Sequence, residues 1–197
     1  RLGNTIEVLS YSEFSVTNLI YFSPFEFAGR IGSALCEGNE ITYNNLIGYC
    51  TGPMSIIIQA VYSNHKNTII ANNTISKGSF GINLEADNAL VYNNTVNDSN
   101  VGISVSGNNV SVCDNVVFGT SQKIGIAVYG TEDSMGVVRR NRINFKDVES
   151  GLVIGNSLDV SNNIINIVDY GNGISIVGNS SSVHNNNVKS SYDSAIT

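Results

Sequence analysis

The stretch Gly102-Ile103-Ser104-Val105-Ser106-Gly107-Asn108-Asn109-Val110-Ser111-Val112-Cys113-Asp114-Asn115-Val116-Val117 decides the fold. Ile103 and Val105 alternate with Ser104 and Ser106, and Val110 and Val112 alternate with Ser111 and Cys113. A period of two is the pattern of a strand with one buried face. The segments are too short for helices.

Working outward from this stretch, its closing phrase recurs along the chain. It stands as Thr17-Asn18-Leu19-Ile20, Asn44-Asn45-Leu46-Ile47, Asn72-Asn73-Thr74-Ile75 and Asn93-Asn94-Thr95-Val96. It returns as Asp114-Asn115-Val116-Val117, Arg140-Asn141-Arg142-Ile143, Asn162-Asn163-Ile164-Ile165 and Asn185-Asn186-Asn187-Val188. The second position is Asn in all eight copies, at spacings of 27, 28, 21, 21, 26, 22 and 23 residues. The opening phrase recurs in phase with it, as Gly81-Ile82, Gly102-Ile103, Gly125-Ile126, Gly151-Leu152 and Gly173-Ile174. Gly81 to Asn94, Gly102 to Asn115 and Gly173 to Asn186 are each 13 residues, and so are Thr5 to Asn18 and Gly32 to Asn45. The longer copies, 55 to 73 and 125 to 141, put their extra residues between the two phrases. Insertions confined to one place in a repeat are loops on one side of a coil.

Short strands phased in this way stack coil on coil, each pairing in parallel with its counterpart about 4.8 Å above and below. The repeated Asn then has a physical task. At a bend between strands it can face inward only if its amide bonds the same amide of the next coil, and a column of such amides satisfies itself except at its ends. On these residues the chain resembles right-handed parallel β-helices of the pectate-lyase-like superfamily, in the GI…NN-x-I repeat form shared with NosD-like and surface or carbohydrate-active proteins. The expectation is an all-β, right-handed parallel β-helix: a single domain over 1–197, about eight coils of 21–28 residues with an inward Asn ladder, and the start of a ninth at Ala195-Ile196.

Composition bounds the function. The 197 residues carry 10 Lys+Arg against 16 Asp+Glu, a net charge of −6, and only 13% are charged. The 29 Asn make up about 15% of the chain. No positive field spans the sequence, so nucleic acid is disfavoured as a partner. No apolar run reaches the ~18 residues that membrane insertion requires. Without an initial Met or a basic leader, the chain reads as a trimmed or processed segment. Three cysteines, Cys36, Cys50 and Cys113, lack CxxC spacing. They read as three half-buried thiols, or as a Cys36–Cys50 pair in an oxidising compartment.

Candidate chemistry is sparse. The outward positions of the strand that opens each coil carry only two acids, Glu7 and Glu85, three coils apart. Glycoside hydrolysis needs two carboxylates within about 5–9.5 Å. Asp147 and Asp169 hold equivalent places, each six residues after a ladder Asn and four before a Gly, so they are expected to stack. They read as a Ca²⁺ site, as a catalytic acid pair, or as two solvated turn aspartates; no other cofactor is expected. Arg139 and Arg142 face outward and could fork onto a uronate carboxylate, or serve solubility beside Arg140 and Asp114. His65 and His184 read as polar surface residues. Asn72, Asn93, Asn97, Asn109 and Asn179 each begin an Asn-x-Ser/Thr glycosylation acceptor. The aromatic stretch Tyr21-Phe22-Ser23-Pro24-Phe25-Glu26-Phe27 reads as a cover for the coil, a docking patch or a sugar-stacking platform.

The functional expectation is a secreted or surface-exposed structural or binding module, of the stalk, adhesin, tailspike or extracellular-fibre type. It would sit outside the cell, on a cell or virion surface, or in the periplasm. Polysaccharide is a candidate partner. The alternative is a lyase, epimerase or hydrolase acting on an acidic polysaccharide; the Gly-His-Gly and Asp-Pro-His motifs of enzymatic members of the resembled superfamily are not present. Terminal coils need covering because each coil buries its core against neighbours. Self-association, flanking domains or a capping subunit is therefore expected at the ends.

Overall fold

The computed structural model describes residues 66–120, 123–132, 134–190 and 193–197 with their side chains. It also gives strand backbone at 121–122 and in Thr5–Ser10, Thr17–Phe22, Glu40–Thr42, Asn45–Cys50 and Ile58–Ser63. His65, Cys36 and the aromatic residues 23–27 lie outside the described residues, as do the side chains of Tyr21, Phe22 and Cys50.

The chain is a parallel β-helix with no helix among the described residues. Three strand columns run along it. The first is a 7-stranded sheet holding the strands just before each ladder Asn, among them Ile69–Ala71, Leu90–Tyr92, Ser111–Cys113, Gly136–Arg139, Leu158–Ser161 and Ser182–His184. The second follows the Asn, through Thr74–Ser76, Thr95–Asn97, Ile164–Ile167 and Asn187–Ser190. The third carries the Gly-Ile phrase, through Phe80–Glu85, Val101–Ser106 and Asn172–Ile176. Val116–Tyr129 and Arg142–Ile154 run unbroken through the second and third columns and join them into one 13-stranded sheet. Every strand pairing is parallel and links adjacent coils, as in Ile82↔Ile103↔Ile126↔Leu152↔Ile174.

The interior is filled by the alternating apolar set. Ile70, Ile75, Ile82, Leu84, Val91, Val96, Ile103 and Val105 are all inaccessible to solvent, and the later coils repeat the arrangement. The phased glycines are explained by space. A Cβ on Gly81 would lie 2.5 Å from both the Gly102 carbonyl oxygen and a methyl of Val96. Each phased Gly thus admits the β-branched residue of the Asn phrase and the backbone of the next coil.

Among the described residues the amide column is present with six rungs, Asn73, Asn94, Asn115, Asn141, Asn163 and Asn186. In each step both the backbone N–H and Nδ2 of one Asn donate to Oδ1 of the next, at 2.9–3.1 Å. From Asn94 onward Nδ2 also donates to the carbonyl of the first-column strand one coil back, as Asn115 does to Val91 at 2.9 Å. The residue before each rung has a left-handed backbone: φ is 58° at Asn72, 53° at Asn93, 58° at Asp114, 55° at Arg140, 57° at Asn162 and 55° at Asn185. The doubled Asn therefore does two tasks. The first tolerates the corner conformation, and the second forms the rung.

The coil count is lower than expected. Six rungs span about five coils, not eight. The register places Asn18 opposite Gln59 in the third column, and Asn45 opposite Thr74, one position past the rung. Thr5 stands in the second column opposite Asn45 instead of in the Gly column. Val61 pairs with Ile82, so Ala60 takes the Gly place expected for Ser55. The reason is local. The run Ser55-Ile56-Ile57-Ile58 has no alternation, and pattern fixes register only where one face is distinct. The expected next coil at the other end does begin: Ile174↔Ile196 is a parallel bridge, and Thr197 N–H donates to the Ile174 carbonyl at 2.9 Å.

Candidate functional site

The outer face carries a cleft of about 440 Å³. It lies where the third column ends and the chain turns toward the first. Its floor is Ala86, Gly107 and Gly130, which occupy equivalent places in successive coils. One wall is the outward row Glu85, Ser106 and Tyr129, aligned by the register Glu85↔Ser106↔Tyr129. The opposite wall is Lys66, Asp87 and Thr131.

The floor explains why a groove exists. Gly107 has φ +145°, and a Cβ there would strike the Ala86 carbonyl; at Gly130 it would strike the Asn156 carbonyl. Backbone lies where side chains would otherwise project. The walls are held from below. Asn108 donates its N–H to Asp87 Oδ1 at 2.9 Å, and its own Oδ1 accepts from the Thr131 hydroxyl. Lys66 Nζ lies 3.2 Å from Asp87 Oδ2. The Asn108 N–H holds the Asp87 carboxyl below its ordinary range; partial burial opposes this and Lys66 assists it. Ser106 Oγ donates to the Leu84 carbonyl at 3.4 Å. Glu85 is exposed, and among the described residues no ion-pair or hydrogen-bond partner engages its carboxylate. Tyr129 is 39% exposed.

The residues singled out in the sequence lie elsewhere. Asp147 and Asp169 do come side by side in adjacent coils, with the Asp169 N–H donating to the Lys146 carbonyl at 2.8 Å. The Asp169 carboxylate, however, pairs with Lys146 Nζ at 3.6 Å. A divalent cation there would compete with that ammonium, and no three His, Cys, Asp or Glu side chains converge as a metal set among the described residues. Arg139 and Arg142 are exposed and flank rung Asn141 from two different columns, opposite Ser161 and Ile164. Between them Arg140 forks onto Asp114 of the preceding coil, with Nε–Oδ1 and Nη2–Oδ2 both 2.7 Å. That fork holds the Asp114 carboxyl below its ordinary range and raises the guanidinium.

Of the Asn-x-Ser/Thr positions, Asn93, Asn109 and Asn179 are exposed and Asn72 and Asn97 half-buried. Asn109 Nδ2 is engaged by Asn88 Oδ1 at 3.1 Å, and Asn88 Nδ2 by Asn67 Oδ1 at 3.0 Å, which forms a second, exposed amide stack. Cys113 is a free, half-buried thiol. His184 has a partner that the sequence did not reveal: its Nε2 lies 2.9 Å from Asp159 Oδ1, one coil back and 25 residues away. The cleft was missed in the same way. Glu85 stands in the sequence as an outward position of its strand, but nothing there places Lys66, Asp87 and Thr131 opposite it.

Comparison with protein-family models, curated proteins and solved structures finds no match to this chain. The fold established here is therefore that of a parallel β-solenoid, and function is argued from its surface alone.

Proposed function

We propose that this chain is a secreted or surface-exposed binding module, of the kind that forms stalks, adhesins, tailspikes or extracellular fibres, and that its outer face contacts polysaccharide. The observation that carries the reading is the groove across three coils, with an exposed tyrosine ring, hydroxyls and a carboxylate held at strand spacing. A stacked ladder fixes such groups without loop ordering, so little binding energy is spent on preorganisation. Tyrosine rings receive the apolar face of a sugar at low entropic cost. The relation to pectate-lyase-like β-helices suggested by the repeat belongs to this reading.

Binding of the full chain to a panel of neutral, cationic and acidic polysaccharides tests the reading. Retention on at least one class, weakened by Tyr129→Ala, is expected. Absence of binding to every class overturns it. New reducing ends or unsaturated ends in the incubated polysaccharide would replace it with the enzymatic alternative.

A further inference from the structure

We propose that the groove between Glu85 and Tyr129 is a site for a cationic amino sugar, a hydroxyl-rich ligand with a free ammonium, and not for a uronate. This rests on the polysaccharide-contact reading above and names the ligand class of that site.

Charge decides between the two. Among the described residues, the groove carries two carboxylates, Glu85 and Asp87, and one ammonium, Lys66. Asp87 already holds Lys66 at 3.2 Å and the Asn108 N–H at 2.9 Å. Among the described residues, the groove is left with one uncompensated negative charge, at Glu85. A uronate laid along the floor would bring its carboxylate among like charges, which costs affinity and rejects the wrong ligand. An ammonium would instead meet Glu85 in a charge-assisted hydrogen bond.

Shape favours a short oligosaccharide. Glu85 and Tyr129 stand in one outward row with Ser106 between them, two strand spacings or about 10 Å apart. An amine at Glu85 therefore leaves a neighbouring ring over Tyr129, whose electron-rich face also favours a cationic ligand. The Ser106 hydroxyl lies midway and retains acceptor capacity, since its proton is directed to the Leu84 carbonyl. The volume of about 440 Å³ falls within the range of small-ligand sites. The floor of Ala86, Gly107 and Gly130 lets the ligand lie against backbone.

The test uses the full chain with three trisaccharides: a glucosamine trimer, its N-acetylated counterpart and a uronate trimer. Titration calorimetry reads affinity, and ligand-observed NMR reads which sugar protons touch the protein. The glucosamine trimer should bind about three- to fivefold more tightly than the acetylated one, the scale of one solvent-exposed ion pair. The uronate trimer should bind most weakly. Glu85→Gln, an isosteric change at an exposed position, should abolish the preference and leave the circular dichroism spectrum unchanged. Tyr129→Ala should weaken both amino-sugar ligands together. The proposal is overturned if the acetylated or uronate trimer binds most tightly, or if Glu85→Gln keeps the preference. If a trimer binds but neither variant alters its affinity, the site assignment falls while polysaccharide contact stands. If no polysaccharide of any class binds, both fall.

Discussion

Replacing Asn115 by Leu tests the amide column at its centre. The Asn115 side chain takes part in five hydrogen bonds. Its Oδ1 accepts the backbone N–H and Nδ2 of Asn94, both at 3.0 Å; its Nδ2 donates to the carbonyls of Val91 at 2.9 Å and Cys113 at 3.1 Å, and to Asn141 Oδ1 at 3.0 Å. Leucine of similar size removes all five. The losses are unequal, because most partners keep a second bond. Asn94 Nδ2 still reaches the carbonyls of Ile70 and Tyr92, and Asn141 Oδ1 still accepts the backbone N–H of residue 115. The Cys113 carbonyl still accepts the Asn93 N–H. The Asn94 backbone N–H, in a residue only 1% exposed, loses the acceptor it points at.

One stranded buried donor costs about 1–3 kcal/mol, and the remaining lost bonds add about 1 kcal/mol, so the change should cost about 2–4 kcal/mol. Urea unfolding followed by circular dichroism measures the total. Ser106→Ala is the control, since it removes one long bond on the outer face and should stay within about 0.5 kcal/mol of the parent. A solenoid can lose cooperativity locally, so amide hydrogen exchange is the second readout. Protection should fall at Asn94 much more than at Asn141, because donation runs one way along the column. Equal effects of Asn115→Leu and Ser106→Ala, or equal loss of protection at both neighbours, would refute the reasoning.

Other positions give further expectations. Gly102→Ala should destabilise by about 1–3 kcal/mol in the same unfolding assay, since its Cβ would strike the Gly125 carbonyl and a Val117 methyl; an unchanged midpoint would contradict the packing described. Arg140→Asn trades an exposed fork for a residue that suits the left-handed corner, so the urea midpoint should be little changed at low salt and exceed the parent's in high salt, where the fork is screened. Asp87 has a depressed carboxyl, so its contribution is full above the ordinary aspartate value of 3.8 and is lost as pH falls through its lower folded value. Asp87→Asn should therefore lower stability at neutral pH and flatten the acid limb of a stability–pH curve; an acid limb of unchanged slope would contradict the assignment.

The parts of the fold legible in the sequence were those that repeat because every coil needs them. Ladder residues Asn73 to Asn186 were found because an inward amide has one solution, the next amide, and it returns once per coil. The phased glycines were found for a similar reason, although their cause became clear only with the close approach of Val96 to Gly81. The corner role of Asn72, Asn93, Asn162 and Asn185 was not read, because a left-handed φ and an inward amide select the same residue type and sit side by side. Asp114 and Arg140 separate the two tasks: they hold the corner without being Asn, and they stabilise each other by the fork. Register failed for the strands Thr5–Ser10, Thr17–Phe22, Asn45–Cys50 and Ile58–Ser63, where Ala60 stands in the Gly place and the sequence Ile56-Ile57-Ile58 gives no alternation.

The outer face obeys no such rule, which is why the groove was not legible. Its six wall residues come from positions 66 to 131, and their juxtaposition depends on coil lengths that change from 21 residues between Glu85 and Ser106 to 23 between Ser106 and Tyr129. The two added residues lie between the second and third columns, after Phe118 and before Ile124, where Val116–Tyr129 runs on without a break. They leave the Ser106↔Tyr129 register intact, so an aromatic ring is carried onto a row whose earlier members are a hydroxyl and a carboxylate. Inward positions cannot vary in this way, because a misplaced polar group there strands its neighbours. Outward positions can, at little cost to the fold. A β-helix thus separates the two demands on its sequence: the periodic half specifies the scaffold, and the departures from periodicity on the solvent side are where selectivity for a ligand can be built.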